Sequence, residues 1–203
     1  MIGYASRTGT RRNLRALGIA GWRILVSARG ALRPEGLPYA LDNGAWTAHQ
    51  RQEPFDSTAF VRAVESLGHG ADFVVAPDVV GNARASWSLT RQWLPWVLDR
   101  VPGLVLIAVQ DGMSAQCVGD LIGGRVGLAI GGSTAWKENA LARREFSDLG
   151  CYVHALRVNT VRRVNLCLHA GCDSIDGSSV SRFSSNLPRL DAALRQGDLW
   201  DRS

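Results

Sequence analysis

The sequence is poor in lysine. Of its 23 basic residues only Lys137 is a lysine and the other 22 are arginines. Paired cysteines are missing as well. Cys117, Cys151, Cys167 and Cys172 form no CxxC, and neither His154 nor His169 stands at finger spacing from a cysteine pair, which removes a structural zinc module. The four are expected as reduced, mostly buried thiols. No apolar run approaches the roughly 20 residues of a membrane-spanning helix. The longest, residues 101–109, is closed at once by Gln110-Asp111. The opening residues 1–7 carry no basic-then-apolar pattern of a secretory signal, so a cytoplasmic protein with no membrane partner is expected. There is no GxxxxGK[ST] phosphate loop, no linker rich in Pro, Gly or Ser and no internal repeat. One domain over residues 1–203 is the reading.

Acidic residues are absent from the first 34 positions, where Arg7, Arg11, Arg12, Arg15, Arg23, Arg29 and Arg33 form a block of one sign. The chain's formal charge is +5. A block of this kind suits a polyanion, because each phosphate neutralised releases condensed counterions. Arg11, Arg12 and Arg15 are the candidate nucleic-acid contacts.

Short β-rich runs alternate with segments of helical period. Strands are expected at residues 22–27, 39–41, 73–76, 104–109, 126–130, 152–156 and 174–175, with a further one within residues 1–4. Asp56 or Ser57, Ser114 and Thr160 are expected to cap helices. Pro95 is expected to kink or break the helix that carries Trp87, Leu94 and Leu98, and another helix is expected over residues 134–149. Repeated strand–helix units imply an α/β fold with a parallel sheet, doubly wound or closed as a barrel.

The polar residues fall where a barrel builds its sites. Asp42, Asp78, Gln110, Gly131-Gly132 and Asp176 each stand at the carboxyl end of a predicted strand. In a (β/α)8 barrel those ends open on one face. Carboxylates without a metal motif suit glycosyl transfer, in which one attacks the anomeric carbon and another handles protons. Asp, Gln and a Gly-Gly backbone form a donor–acceptor row fit for a planar purine.

The stretch HALRVNTVRRVNLCLHAGCDSIDGSSVSR, residues 154–182, resembles the part of tRNA-guanine transglycosylases in which a Gly-x-Asp-x-x-Asp run delivers the nucleophilic aspartate before a Thr-Arg pair. Leu41-Asp42-Asn43-Gly44-Ala45-Trp46 is similar to the family's Asp-Ser-Gly-Gly-Phe motif. Ala76-Pro77-Asp78 falls at its base-recognising aspartate, Val109-Gln110-Asp111-Gly112 resembles Val-Gln-Gly-Gly, and residues 127–132, GLAIGG, resemble Gly-Tyr-Ala-Ile-Gly-Gly. All five occur in family order. The family's zinc subdomain has no counterpart here. In this the chain, with Thr8-Gly9-Thr10 and its Asn-Gly-Ala-Trp and Ala-Pro-Asp variants, looks like the compact phage DNA-guanine transglycosylases.

The resemblance implies a single compact TIM-type barrel that replaces guanine in DNA by a free 7-deazaguanine base through a covalent aspartyl-glycosyl intermediate. Asp176 is then the nucleophile and Asp42 the proton-handling residue. Asp78 accepts from the guanine N1–H and amine, Gln110, Gly131 and Gly132 address O6 and the seven-position, and Asn43 and Arg182 complete the substrate-binding set. Trp46 is the tryptophan expected to stack on a base, and Asp173 is expected to be structural. No cofactor and no metal are implied. A homodimer is left open, and the alternatives are the same exchange on tRNA or a non-catalytic barrel that binds a deazapurine or nucleic acid.

Overall fold

A computed structural model describes residues 1–8 and 10–200. Gly9 of the Thr8-Gly9-Thr10 element and the last three residues of the expected domain lie outside the described residues. The chain begins with β1 (Ile2–Ser6), α1 (Arg11–Ile19), β2 (Arg23–Ser27), β3 (Tyr39–Asp42), α2 (Ala45–Gln50), α3 (Ser57–Leu67), β4 (Phe73–Val75) and α4 (Ala83–Arg100). It continues with β5 (Leu104–Val109), α5 (Ala115–Val118), β6 (Val126–Ile130), α6 (Thr134–Ala142), β7 (Val153–Ala155), α7 (Val161–His169), β8 (Ser174–Gly177), α8 (Ser179–Arg182) and α9 (Leu187–Trp200).

All pairings between the eight strands are parallel and the sheet closes on itself in chain order, β8 returning to β1 with Asp176 opposite Tyr4. This is a (β/α)8 TIM-type barrel. Closure removes every sheet edge and accounts for the continuous apolar runs of β5 and β6, which are buried on both faces. Of the two readings open to the alternation, doubly wound or closed, the closed one holds. The expected additional strand at the start of the chain is β1.

Two apolar layers follow from strand alternation. Tyr4, Leu25, Ala40, Phe73, Val75, Leu106, Ala108 and Ala129 fill the barrel interior. A larger layer, including Leu17, Ile24, Phe60, Val97, Ile107, Phe146 and Leu190, packs the helices onto the outside of the strands. The floor of the interior is polar. Tyr4 donates to Asp72 Oδ2 at 3.0 Å, and Arg23 pairs with Asp72 Oδ1 at 2.9 Å.

Asp56 caps α3 by accepting from Ala59 N at 2.9 Å, and Thr160 caps α7 by accepting from Arg163 N at 3.3 Å. Ser114 precedes α5 without a side-chain cap bond; its hydroxyl turns to Cys117 Sγ at 3.2 Å. Pro95 does not break α4, which runs through it as one 18-residue helix. The proline and Arg91, whose carbonyl it leaves unbonded, both face outward where water can serve. The helix expected over 134–149 ends at Ala142. Arg144 adopts a left-handed φ of 55°, and Glu145 N bonds back to Ala140 O, turning Phe146 into the core. Cys167 and Cys172 are buried, but Cys151 is only partly covered and Cys117 is exposed. Among the described residues no helix is long and apolar enough to cross a membrane.

Candidate active site

The carboxyl ends of the strands open on a cavity of about 690 Å³. It is lined by Asp42, Asn43, Asp78, Gln110, Gly131, Gly132, Asp176 and Arg182, so the strand-end residues singled out in the sequence share one mouth. In the closed order β4 and β8 face each other across the barrel, which places Asp78 and Asp176 on opposite walls.

Asp176 is the third residue of β8 rather than a residue after it, and it is 6% exposed. Its Oδ1 accepts from Arg157 N at 2.9 Å and lies 3.3 Å from His154 Nε2. His154 is fully buried, with Nδ1 2.7 Å from Ser174 Oγ and its ring packed on Phe73 and Tyr4. The Arg157 amide is the hydrogen bond on Oδ1, His154 Nε2 making none, and Oδ2 is the oxygen left toward the cavity. Three positions earlier, Asp173 accepts from Val153 N at 2.7 Å at the amino ends of β7 and β8, a structural contact away from the mouth.

Asp78 is not a helix cap. That position before α4 belongs to Asn82, which accepts from Ala85 N at 3.0 Å. Asp78 is buried, with Oδ1 accepting from Asn43 Nδ2 at 2.7 Å and Oδ2 from Gln110 Nε2 at 2.6 Å. Burial pushes its pKa up to about 6, opposed by the Asn43 and Gln110 amides and aided by the Asp42 charge. A carboxylate offers about four lone-pair sites, so both oxygens retain capacity toward the cavity.

Asn43 and Gln110 are committed to holding that carboxylate. Asn43 also donates to Ala76 O and accepts from Ala45 N, and Gln110 Oε1 accepts from Gly81 N and Gly132 N. The Gly131 and Gly132 amides are likewise paired within the protein, with Val109 O and Gln110 Oε1. What Gly132 supplies is space and a turn: its φ is +71°, and a Cβ there would collide with Asp111 Oδ2 and come within 2.8 Å of Trp136.

Asp42 closes β3 and accepts from Gly44 N at 3.0 Å, making a local turn at the cavity edge. Burial raises its pKa to about 6, with the Gly44 bond opposing and the Asp176 charge adding to the rise. Two acids that titrate near neutrality in one mouth are suited to general acid–base work.

Sequence reasoning missed Arg157, His154 and Lys137. Arg157 lies two residues past the end of β7, in the cavity wall. It holds a left-handed φ of 58°, stacks its guanidinium 4.2 Å over Trp46 and donates through Nη2 to Gly132 O. Trp46 is 38% exposed, whereas Trp87, Trp93, Trp96 and Trp136 are partly buried against the outer core. Lys137, on α6, is 2% exposed and donates to Leu156 O. Burial, with Arg157 adding to it, pulls its pKa down to about 8 while Asp176 pulls upward.

The arginine block of the sequence is not one surface. Arg7 pairs with Glu35 at 2.5 Å, Arg23 with Asp72 at the opposite end of the barrel, and Arg29 with Glu53 at 2.6 Å. Arg11, Arg12 and Arg15 are exposed on the first turns of α1. That end is tied to the mouth, because Asn13 donates to Ser181 O and Ser181 to Ser6 O. Arg182 is exposed at the rim. Among the described residues no three His, Cys, Asp or Glu are grouped to hold a metal ion. No protein-family model matches the chain, and no curated protein matches it.

Proposed function

We propose that the protein exchanges guanine in DNA for a free 7-deazaguanine base, as the transglycosylases it resembles do. The observation that carries this reading is the pairing of walls across one cavity: Asp176 on β8, with one oxygen held and one available, faces Asp78, whose carboxylate is fixed by two amides. A purine fills such a space with its hydrogen-bonding edge on Asp78 and its sugar at Asp176. The volume lies within the range of small-molecule sites, roughly 300–1,000 Å³.

The target nucleotide leaves the stack to reach the cavity. Asp176 Oδ2 attacks C1′ as the C1′–N9 bond breaks, and the electron pair departs with guanine, which takes a proton from Asp42. The incoming base gives its N9 proton to Asp42 and attacks C1′ from the face guanine left, expelling Asp176. Two inversions restore the original configuration, as in retaining glycosidases. The exposed Arg11, Arg12 and Arg15 on the first turns of α1, with Arg182 at the rim, suit a polyanionic substrate.

The test is mass spectrometry of nucleosides from DNA and tRNA of cells that express the protein with a supply of the precursor base. A 7-deazaguanine nucleoside in DNA, lost in Asp176→Asn together with any denaturant-stable protein–DNA adduct, is the expected result. Incorporation into tRNA alone would move the activity to RNA, and incorporation that survives Asp176→Asn would remove the assigned nucleophile.

A further inference from the structure

The arginines of the mouth come from neighbouring strands. The basic lining residues are Arg7 after β1, Arg157 after β7 and Arg182 on α8 after β8. These three strands are neighbours in the closed order, and β1 to β8 seal the barrel. The lining from β3 to β6 contributes Asp42, Asn43, Asp78 and Gln110 and no cation. Asp176 stands among the three arginines, and the Arg157 guanidinium reaches from its strand over Trp46 and Gly132 O.

Arg157 is tied to Asp176 through its backbone. Its backbone N–H is spent on Asp176 Oδ1, and its neighbour Val158 N bonds Asp176 O at 2.6 Å. These two bonds hold the residue in a left-handed conformation that costs an arginine energy, a form of strain concentrated at functional sites. The side chain is pre-set by Trp46 and Gly132 O. A guanidinium has five N–H donors in a planar fork that fits two phosphate oxygens at once. The Gly132 carbonyl takes only part of that capacity. Arg7 already answers Glu35, and Arg182 is exposed at the rim, so Arg157 is the guanidinium fixed beside the attacked sugar.

We propose that the Arg157 guanidinium, held by Trp46 and Gly132 O, binds the phosphodiester next to the target sugar. This inference rests on the base-exchange reading for the identity of the sugar and base, but its test does not require turnover. Dissociation constants are measured by calorimetry for guanine, deoxyguanosine, a trinucleotide with a central dG and the same trinucleotide with an abasic centre. Wild type is compared with Arg157→Gly and Arg157→Lys. Glycine adopts a φ of 58° without penalty, so the bond from residue 157 N to Asp176 survives the loss of the side chain.

Arg157→Gly is expected to weaken both trinucleotides about 10-fold or more while guanine and deoxyguanosine stay within about twofold, since a hydrogen bond to a charged group is worth at least that factor. Arg157→Lys is expected to recover part of the loss, having the charge without the fork. Equal weakening of all four ligands, or of none, would overturn the proposal and leave Arg157 as a counter-ion of Asp176. If guanine does not bind and the two trinucleotides bind alike, the base-exchange reading falls, and an Arg157-dependent trinucleotide affinity still upholds the phosphate contact.

Discussion

His154 Nε2 lies 3.3 Å from Asp176 Oδ1, and the imidazole that makes this approach has no exposed surface. Its other nitrogen is engaged by Ser174, two residues before Asp176 on the same strand, so the ring and the carboxylate are registered to each other through β8. This makes His154 a positioning residue for the Asp176 carboxylate, the nucleophile in the proposed exchange. His154→Leu is expected to lower kcat about 100-fold, the scale on which a reacting group misplaced by about 1 Å loses rate, with KM within about twofold. His154→Gln keeps a polar partner for Ser174 and is expected to restore part of kcat. A rise in KM with unchanged kcat would assign the residue to binding instead.

Asp42 and Asp78 both titrate near 6, above the ordinary value of 3.8. A raised carboxylate pKa means that the folded chain holds the proton more tightly than the unfolded one. The associated stability is complete below about pH 3.8 and is lost as pH rises through about 6. Asp42→Asn removes that loss. In urea unfolding it is expected to exceed wild type by on the order of 1–2 kcal/mol at pH 7.5, with the difference closing below pH 4. Exchange follows a different profile: Asp78 must be ionised to accept from guanine while Asp42 must carry the proton it gives the leaving base, so the rate is expected to peak near pH 6 and fall on either side.

Asn43 tests the same carboxylate from behind. Its amide bonds Asp78 Oδ1 at 2.7 Å and holds the Asp78 pKa down. Asn43→Ala is expected to raise that pKa further, moving the acidic limb of guanine binding to higher pH. A stability cost of about 1–3 kcal/mol is expected from the buried acceptor left short of a donor. Guanine titrations at several pH values, with thermal unfolding alongside, check both.

Gly132→Ala should be worse than an alanine at Gly124. Both glycines have positive φ, +71° and +57°, but only the first has neighbours where the methyl would go, Asp111 and Trp136 among them. About 2–3 kcal/mol is expected at Gly132, from backbone conformation and overpacking together, and about 1 kcal/mol at Gly124. Chemical unfolding of the two variants gives the comparison.

Arg11, Arg12 and Arg15 are exposed on the first turns of α1, where Asn13 and Ser181 tie the helix to the mouth, while Arg23 is paired with Asp72 at the far end. Replacing the first three by alanine is expected to reduce the salt slope of DNA binding by roughly 2–3, at about 0.7–0.9 per phosphate contact. Arg23→Ala is expected to leave the slope unchanged. A slope unaffected by the triple variant would return those arginines to a solvated face.

The barrel was legible because parallel strands buried on both sides read as uninterrupted apolar runs, and because polar residues right after them stand out. That contrast located Asp42, Asp78, Gln110 and Asp176. It did not expose Arg157, which also follows a strand, because its importance lies in a backbone conformation and a stack on Trp46 that no residue pattern encodes. His154 was noticed only as a failed zinc ligand; its place beside Asp176 depends on the register of β7 against β8. The arginine block misled for a related reason. Glu35, Glu53, Asp56 and Asp72 come from later segments and neutralise residues that look unopposed along the chain. Helix α1 escaped notice because Leu17 is its only buried residue.

Lys137 is the chain's one side-chain amine, and the fold seals it between α6 and the end of β7. With its pKa near 8 the amine is largely unprotonated in mildly alkaline buffer, so chemistry is not what protects it from acylating reagents; burial is. Acylation at this position therefore serves as a single-site clock for opening of the α6–β7 region, read by peptide mass. A substrate that tightens the mouth through Arg157 should slow it.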